Sequence, residues 1–232
     1  MANILLVVAN EKENFSFLAE NMLNIQDFFT ACTGVWTTER TYHYVLEGHV
    51  ERSFTEFRVT AIAAAQKQQI LSISALNGIK VDLAQIDNPE AALPGFAIAF
   101  DTRSETGATV SMSLQALFIP DTYVVSDAPR IEIPPLAAQV DPSAETIKGF
   151  YLRDEGYSEA GAIAGRFTYQ PTRQTLEMTT YYRRSVAVDQ MRLVTPGLRM
   201  RTIVTYQRPA SIEEPPSIID LVGFGVERKQ PT

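Results

Sequence analysis

Two arginine-bearing strands hold most of the chemistry available to this chain. In Gly34-Val35-Trp36-Thr37-Thr38-Glu39-Arg40-Thr41-Tyr42-His43-Tyr44, strand alternation puts Trp36, Thr38, Arg40, Tyr42 and Tyr44 on one face and Glu39, Thr41 and His43 on the other. In Pro196-Gly197-Leu198-Arg199-Met200-Arg201-Thr202, Arg199 and Arg201 share a face. A guanidinium turned inward needs an anion to offset its lost hydration. Three arginines converging without three evident buried acids would suit a ligand with two carboxylates. The residues also admit a plainer reading, in which Trp36 plugs one end of a core, Arg40 stacks on it or reaches out to water, and Arg199 and Arg201 are solvated. A third candidate is Thr175-Leu176-Glu177-Met178-Thr179-Thr180-Tyr181-Tyr182-Arg183-Arg184, whose Tyr181 and Tyr182 hydroxyls can donate to ligand oxygens but whose residue types are also those of an ordinary strand.

Other chemistries find no support. Cys32 has no histidine within a few residues, and no G-x-S-x-G, H-E-x-x-H or glycine-rich nucleotide loop occurs. The glycines at Gly156, Gly161 and Gly165 match no phosphate-binding pattern and read as turn residues. One Cys and two His cannot make a four-ligand Cys/His zinc site or an internal disulfide, which points to metal-free chemistry in a reducing, cytoplasmic compartment. The formal net charge of -7 argues against nucleic acid as a partner. The apolar run Ile4-Leu5-Leu6-Val7-Val8 falls far short of the ~20 residues of a membrane span.

The elements that must position these residues are mostly strands. The 232 residues, 45% hydrophobic and 20% charged, suit one soluble barrel or two small domains. Period-two runs cover 35–45 and 51–62, joined at Gly48, then 96–100, 108–119, 150–153, 163–169, 175–188, 191–194 and 198–207. Leu23, Ile25, Phe28 and Phe29 recur at helical spacing and predict one short helix. Residues 67–76 read equally as strand or helix, and Asp87-Asn88-Pro89-Glu90 as a turn opening a short helical piece. Prolines mark 126–143 as a long loop and the chain from Pro209 through Pro215-Pro216 as a tail. The expected organisation is an appendage over 1–21, a barrel over 22–208 and a C-terminal tail over 209–232. The fold class is mainly β: a lipocalin-like or fatty-acid-binding-protein-like antiparallel barrel of about eight to ten strands, wide enough for one small ligand, with a short N-terminal helix.

The ordered series Asn24-Ile25-Gln26-Asp27-Phe28-Phe29, Gly34-Val35-Trp36 with Arg40 and His43, Leu152-Arg153-Asp154-Glu155-Gly156-Tyr157, Ala164-Gly165-Arg166-Phe167 and Pro196-Gly197-Leu198-Arg199-Met200-Arg201-Thr202 resembles the CpcS/CpeS-type phycobiliprotein lyases. The resemblance implies an enzyme that binds a linear tetrapyrrole, a bilin such as phycocyanobilin or phycoerythrobilin, as substrate rather than as a resident cofactor. Such an enzyme promotes thioether attachment of the bilin to a cysteine of an apo-phycobiliprotein subunit. A non-catalytic bilin chaperone, or a partner subunit of a homologous or identical lyase chain, is the alternative it leaves open. By the same resemblance Arg40, His43 and Arg199 occupy functional positions, and an acid such as Glu39 or Asp189 hydrogen-bonds the pyrrole nitrogens. The expected catalytic set is then Arg40, His43, Glu39 and Asp189, with Trp36, Arg40, Arg199, Arg201, Tyr181 and Tyr182 as ligand contacts and no metal.

Overall fold

The computed structural model describes residues 22–74, 78–86, 93–125, 133–141, 144–157 and 159–231. The appendage expected over 1–21 and the turn at 87–90 lie outside them. Ten described strands close into one antiparallel barrel: β1 (Gly34–Tyr44), β2 (His49–Ala61), β3 (Gly95–Ser104), β4 (Thr109–Pro120), β5 (Ile147–Arg153), β6 (Ile163–Gln170), β7 (Thr175–Tyr181), β8 (Ser185–Thr195), β9 (Leu198–Gln207) and β10 (Ile219–Lys229). Each pairs with its neighbours in sequence, and β10 pairs with β1 to close the ring. The expected strands recur with small shifts of boundary. The run at 175–188 divides, because the chain turns back between Tyr181 and Ser185 to make the β7–β8 hairpin, and the separate run expected at 191–194 is the second half of β8.

Helix α1 (Ile25–Cys32) plugs one end of the barrel. The Asn24 side chain caps it, its Oδ1 accepting from the Asp27 amide at 2.9 Å while its Nδ2 donates to the Asp27 carboxylate at 2.7 Å. Helical spacing turns Ile25, Phe28, Phe29 and Cys32 inward, where Phe28 meets Tyr169 and Phe29 meets Phe118. The Tyr169 hydroxyl donates to the Leu23 carbonyl at 2.7 Å and fixes the entry of the chain. This end is thus an aromatic core rather than a cavity, and truncating a fully buried ring such as Phe28 to Ala costs about 3–5 kcal/mol.

Two segments cover the outside of the barrel. Of the ambiguous run at 67–76, the described residues 67–74 belong to helix α2 (Ala64–Ser74); Ile62, Ile70, Ile79, Ile86 and Leu93 form a second core with Leu117, Ile119, Phe150 and Leu152 of β4 and β5. The proline-rich segment lays Ala138 on Val188 of β8 and Tyr206 of β9. The Gln190 amide donates to the Ala137 carbonyl at 2.9 Å, and the Ala137 amide donates to the Tyr206 hydroxyl at 3.2 Å. These covers explain why β5 and β7 are buried on both faces, whereas β2, left open to water outside, alternates cleanly.

The expected C-terminal tail requires correction. Residues Ile219–Lys229 form β10, which lies between β9 and β1, so the barrel extends through the region assigned to the tail. Two glycines disguise the strand. A Cβ on Gly223 would lie 2.7 Å from the Tyr42 ring, and one on Gly225 would lie 2.9 Å from both the Glu39 carbonyl and the Thr38 hydroxyl. Glycine is required because inward-turned side chains of β1 occupy the space above β10.

Removing the chain from Ile218 onward would expose the edges of β1 and β9. The truncated protein is expected to lose its cooperative urea transition and to bind a hydrophobic dye. Two-state unfolding like that of the full chain would contradict closure by β10.

Candidate functional site

The inward face of β1 stacks Trp36, Thr38, Arg40 and Tyr42 from the plugged end toward the open one, paired in register with Lys229, Glu227, Gly225 and Gly223 of β10. On β10's other side, Glu227 pairs with Arg199 and Gly225 with Arg201. Register therefore brings Arg40, Arg199 and Arg201 around one carboxylate. Arg199 Nε donates to Glu227 Oε2 at 2.7 Å; Arg201 Nε and Arg40 Nη2 donate to Oε1 at 2.8 and 3.0 Å. Glu227 has no exposed surface. Burial alone would raise its carboxyl, but the combined field of Arg201, Arg199 and Arg40 outweighs burial and lowers it to about 2.

Above this layer lies a cavity of about 350 Å³, within the usual range for a small-molecule site. Phe57, Ile98, Phe100, Met112 and Met178 form an apolar wall; Arg40, Tyr42, Arg201 and Asp189 form a polar one, and Tyr151, Arg153, Tyr157 and Tyr182 a second. Arg201 Nη1 donates to Asp189 Oδ2 at 2.5 Å, while Asp189 Oδ1 is buried without a hydrogen-bond partner. Arg153 Nη2 donates to the Tyr182 hydroxyl at 2.6 Å. Burial pushes the Tyr151 phenol well above its ordinary range despite the opposing Arg153 cation, so this hydroxyl stays protonated at neutral pH. The arrangement offers cationic anchors, neutral donors and one free carboxylate oxygen to a mostly apolar ligand with acidic groups.

The structure brings together Arg40, Arg201, Tyr182 and Asp189 of the expected site residues. It separates the others. Glu39 is exposed on the barrel's outer face, in a shallow groove with Phe54, Met200 and Phe224. His43 is also outside, its ring stacked 5.8 Å from Phe224. Alternation is the reason in both cases, since no bulge interrupts the pairing of β1. Neither lines the cavity, so neither is placed for the catalytic part expected of it, which for Glu39 was a hydrogen bond to the pyrrole nitrogens. Tyr181 is absent from the cavity lining because it lies on the strand face opposite Met178 and Thr180.

Trp36 and Arg199 sit one layer too deep. The Trp36 indole donates to the Cys32 carbonyl at 2.9 Å, and the Arg199 guanidinium lies 4.2 Å from its ring. Arg199 is 1% exposed, so the solvated reading fails for it; it supports the floor and does not reach the ligand space. Cys32 is buried, and burial raises its thiol despite the Arg199 cation, which leaves it a poor nucleophile. Another buried acid, Glu177, faces away from the cavity. Its carboxyl is raised to about 7 by burial, with the Thr179 hydroxyl donating to it.

Sequence reasoning missed Glu227, Tyr151, Arg153 and Tyr157 as site residues. Glu227 was hidden in the supposed tail. Arg153 and Tyr157 lay in the quoted motif Leu152-Arg153-Asp154-Glu155-Gly156-Tyr157, which was the available signal. Among the described residues no helix is long and apolar enough to cross a membrane, and no cluster of three or more His, Cys, Asp or Glu is placed to hold a metal.

Because the folded Glu227 carboxyl is lowered below its unfolded value of about 4.3, its contribution to stability is complete above that value and lost as pH falls toward about 2. Glu227→Gln leaves three guanidiniums around a neutral amide. It is expected to cost about 3–5 kcal/mol at pH 7 and to remove this part of the acid limb, as measured by urea unfolding at successive pH values. Wild-type stability at pH 7, or an unchanged acid limb, would contradict the assigned role.

Comparison with known proteins is consistent over nearly the whole barrel. The sequence model of the family described as "CpeS-like protein" matches residues 24–127 and 132–229. A chromophore lyase CpcS/CpeS 1 of Synechococcus sp. strain JA-3-3Ab is 38% identical over 202 residues, covering 87% of this chain and 94% of the relative. A chromophore lyase CpcS/CpeS 2 of Synechocystis sp. is 25% identical over 188 residues, covering 78% of this chain and 79% of the relative. The solved S-type phycobiliprotein lyase CPES of Guillardia theta superposes with a TM-score of 0.60 at 18% identity, over 90% of this chain and 94% of that one, and so shares the fold.

Proposed function

This chain belongs to the CpeS-like family of chromophore lyases, and from that premise we propose that it binds a bilin in its barrel cavity and promotes thioether attachment of that bilin to a cysteine of a phycobiliprotein subunit. The observation that carries the reading is the charge balance of the cavity and its floor. Four guanidiniums, from Arg40, Arg153, Arg199 and Arg201, face two carboxylates, Glu227 and Asp189. The excess of two positive charges complements the two propionates of a linear tetrapyrrole. The apolar wall suits its conjugated rings, and the free Asp189 Oδ1 is a suitable acceptor for pyrrole N–H groups.

The reaction asks for positioning more than for a protein nucleophile. A partner's thiol adds across the exocyclic ethylidene double bond of the bilin. Sulfur bonds to the exocyclic carbon and a proton goes to the ring carbon, with no change in oxidation level. This chain's share is to hold the bilin by its acidic arms, exclude water and stray thiols from most of it, and present one end at the mouth of the barrel. The buried Cys32 cannot compete for the chromophore. The low count of one cysteine fits work in a reducing cytoplasm beside newly made phycobiliprotein subunits. With Arg40 and Arg201 to align the bilin and Asp189 as the acid toward its pyrrole nitrogens, the cavity leaves no part for Glu39 and His43.

Purified protein mixed with phycocyanobilin and an apo-phycobiliprotein subunit is expected to shift the bilin absorbance and then to leave covalent colour on the subunit after denaturing electrophoresis. Arg40→Gln should lower bilin affinity about 10-fold or more, the scale of one lost charge-assisted contact. An absorbance shift without covalent colour would establish a carrier in place of a lyase. No shift at all would overturn the reading.

A further inference from the structure

Arg153 is 2% exposed yet, among the described residues, has no carboxylate within ion-pair distance. The other inward arginines are all spoken for: Arg40 and Arg199 by Glu227, and Arg201 by Glu227 and Asp189. Arg153 instead sits among tyrosines, its guanidinium carbon 5.4, 4.5 and 5.9 Å from the rings of Tyr151, Tyr157 and Tyr182. Aromatic faces soften the cost of burying the charge but accept few of its five N–H donors. Nη2 donates to the Tyr182 hydroxyl, and Nε is buried with no partner. A buried cation with unused donors on a cavity wall is a site for an anion that the chain does not itself supply.

Position adds a second argument. β5, which ends at Arg153, is five steps around the ten-strand ring from β10 in either direction. Arg153 therefore stands across the barrel from the Glu227 cluster that holds Arg40 and Arg201. Tyr157, 51% exposed, lies over Arg153 on the outer side, in the segment between β5 and β6.

Building on the bilin reading above, we propose that Arg153 binds one carboxylate of the tetrapyrrole, with Tyr157 as the outer wall of that subsite, while the other carboxylate goes to the Arg40 and Arg201 side. The ligand's two acidic arms are thus held by opposite walls, which fixes which end of the bilin reaches the mouth.

The test is titration of the full chain, followed by bilin absorbance, with phycocyanobilin and with its dimethyl ester, in which both acidic arms are masked. Wild type is expected to prefer the free acid. Arg153→Gln should lower affinity for the acid about 10- to 100-fold and leave affinity for the ester where it was. Equal weakening of both ligands, or no weakening of the acid, would overturn the assignment and give Arg153 a structural role. If circular dichroism shows Arg153→Gln unfolded, Arg153→Lys serves, since it keeps the charge but not the planar fork. A selective loss for the acid then supports the subsite, and an equal response overturns it. Absence of bilin binding by wild type would instead remove the functional reading itself, and this subsite with it.

Discussion

The Glu227 carboxylate and the three guanidiniums around it are the constraint on which the rest of the site depends. Burying four charges is expensive, and such a cluster adds little net stability over well-packed apolar residues. Its value here lies in register. Glu227 is on β10, Arg40 on β1, and Arg199 and Arg201 on β9, so the hydrogen bonds link the strands on either side of the closing one. A slip of one residue in β10 would send Glu227 to the outer face and leave three cations buried together. Closure of the barrel and assembly of the cationic wall are therefore one event.

From that cluster the arginines take different tasks. Arg199 gives its charge to Glu227 and its flat face to Trp36, which rests on the helix through the Cys32 carbonyl. The floor is thus tied to the plug. Arg40 and Arg201 share the same carboxylate but lie one layer higher, so the rest of each guanidinium lines the cavity. Arg201 also holds one oxygen of Asp189 and leaves the other unpartnered. Glycines at 223 and 225 make room for Tyr42 and Arg40 to lie over β10. Larger side chains there would push Arg40 away from Glu227.

Much of this was legible in the residues. Alternation in β1 placed Trp36, Arg40 and Tyr42 inward, and alternation in β9 paired Arg199 with Arg201. The convergence of the three arginines occurs through β10, which lies between their strands. Its anion was overlooked because Gly223 and Gly225 weaken the strand signal around Glu227, and because prolines precede it. Helix α2 was ambiguous because its residues pack on the outside of the barrel, where neither period dominates. Glu39 and His43 entered the expected site through family resemblance, against the alternation that already put them on the face opposite Arg40.

The sequence by itself determined a mainly β chain with an N-terminal helix, the faces of its strands, the family and the poor fit of zinc, nucleotide or ordinary nucleophile chemistry. The fold class, strand faces and excluded chemistries follow from local periodicity and residue type, and the family from the order of its motifs; none of these needs knowledge of distant neighbours. Tertiary structure alone decided which arginines meet the ligand space and which support it. That choice depends on depth along the barrel and on the carboxylate each arginine finds, and both are set by pairing between residues far apart in the chain, such as Arg40 and Glu227, which are 187 positions apart. It also separated Arg153 from the others, because only the closed ring shows a buried cation on the far wall with no carboxylate beside it.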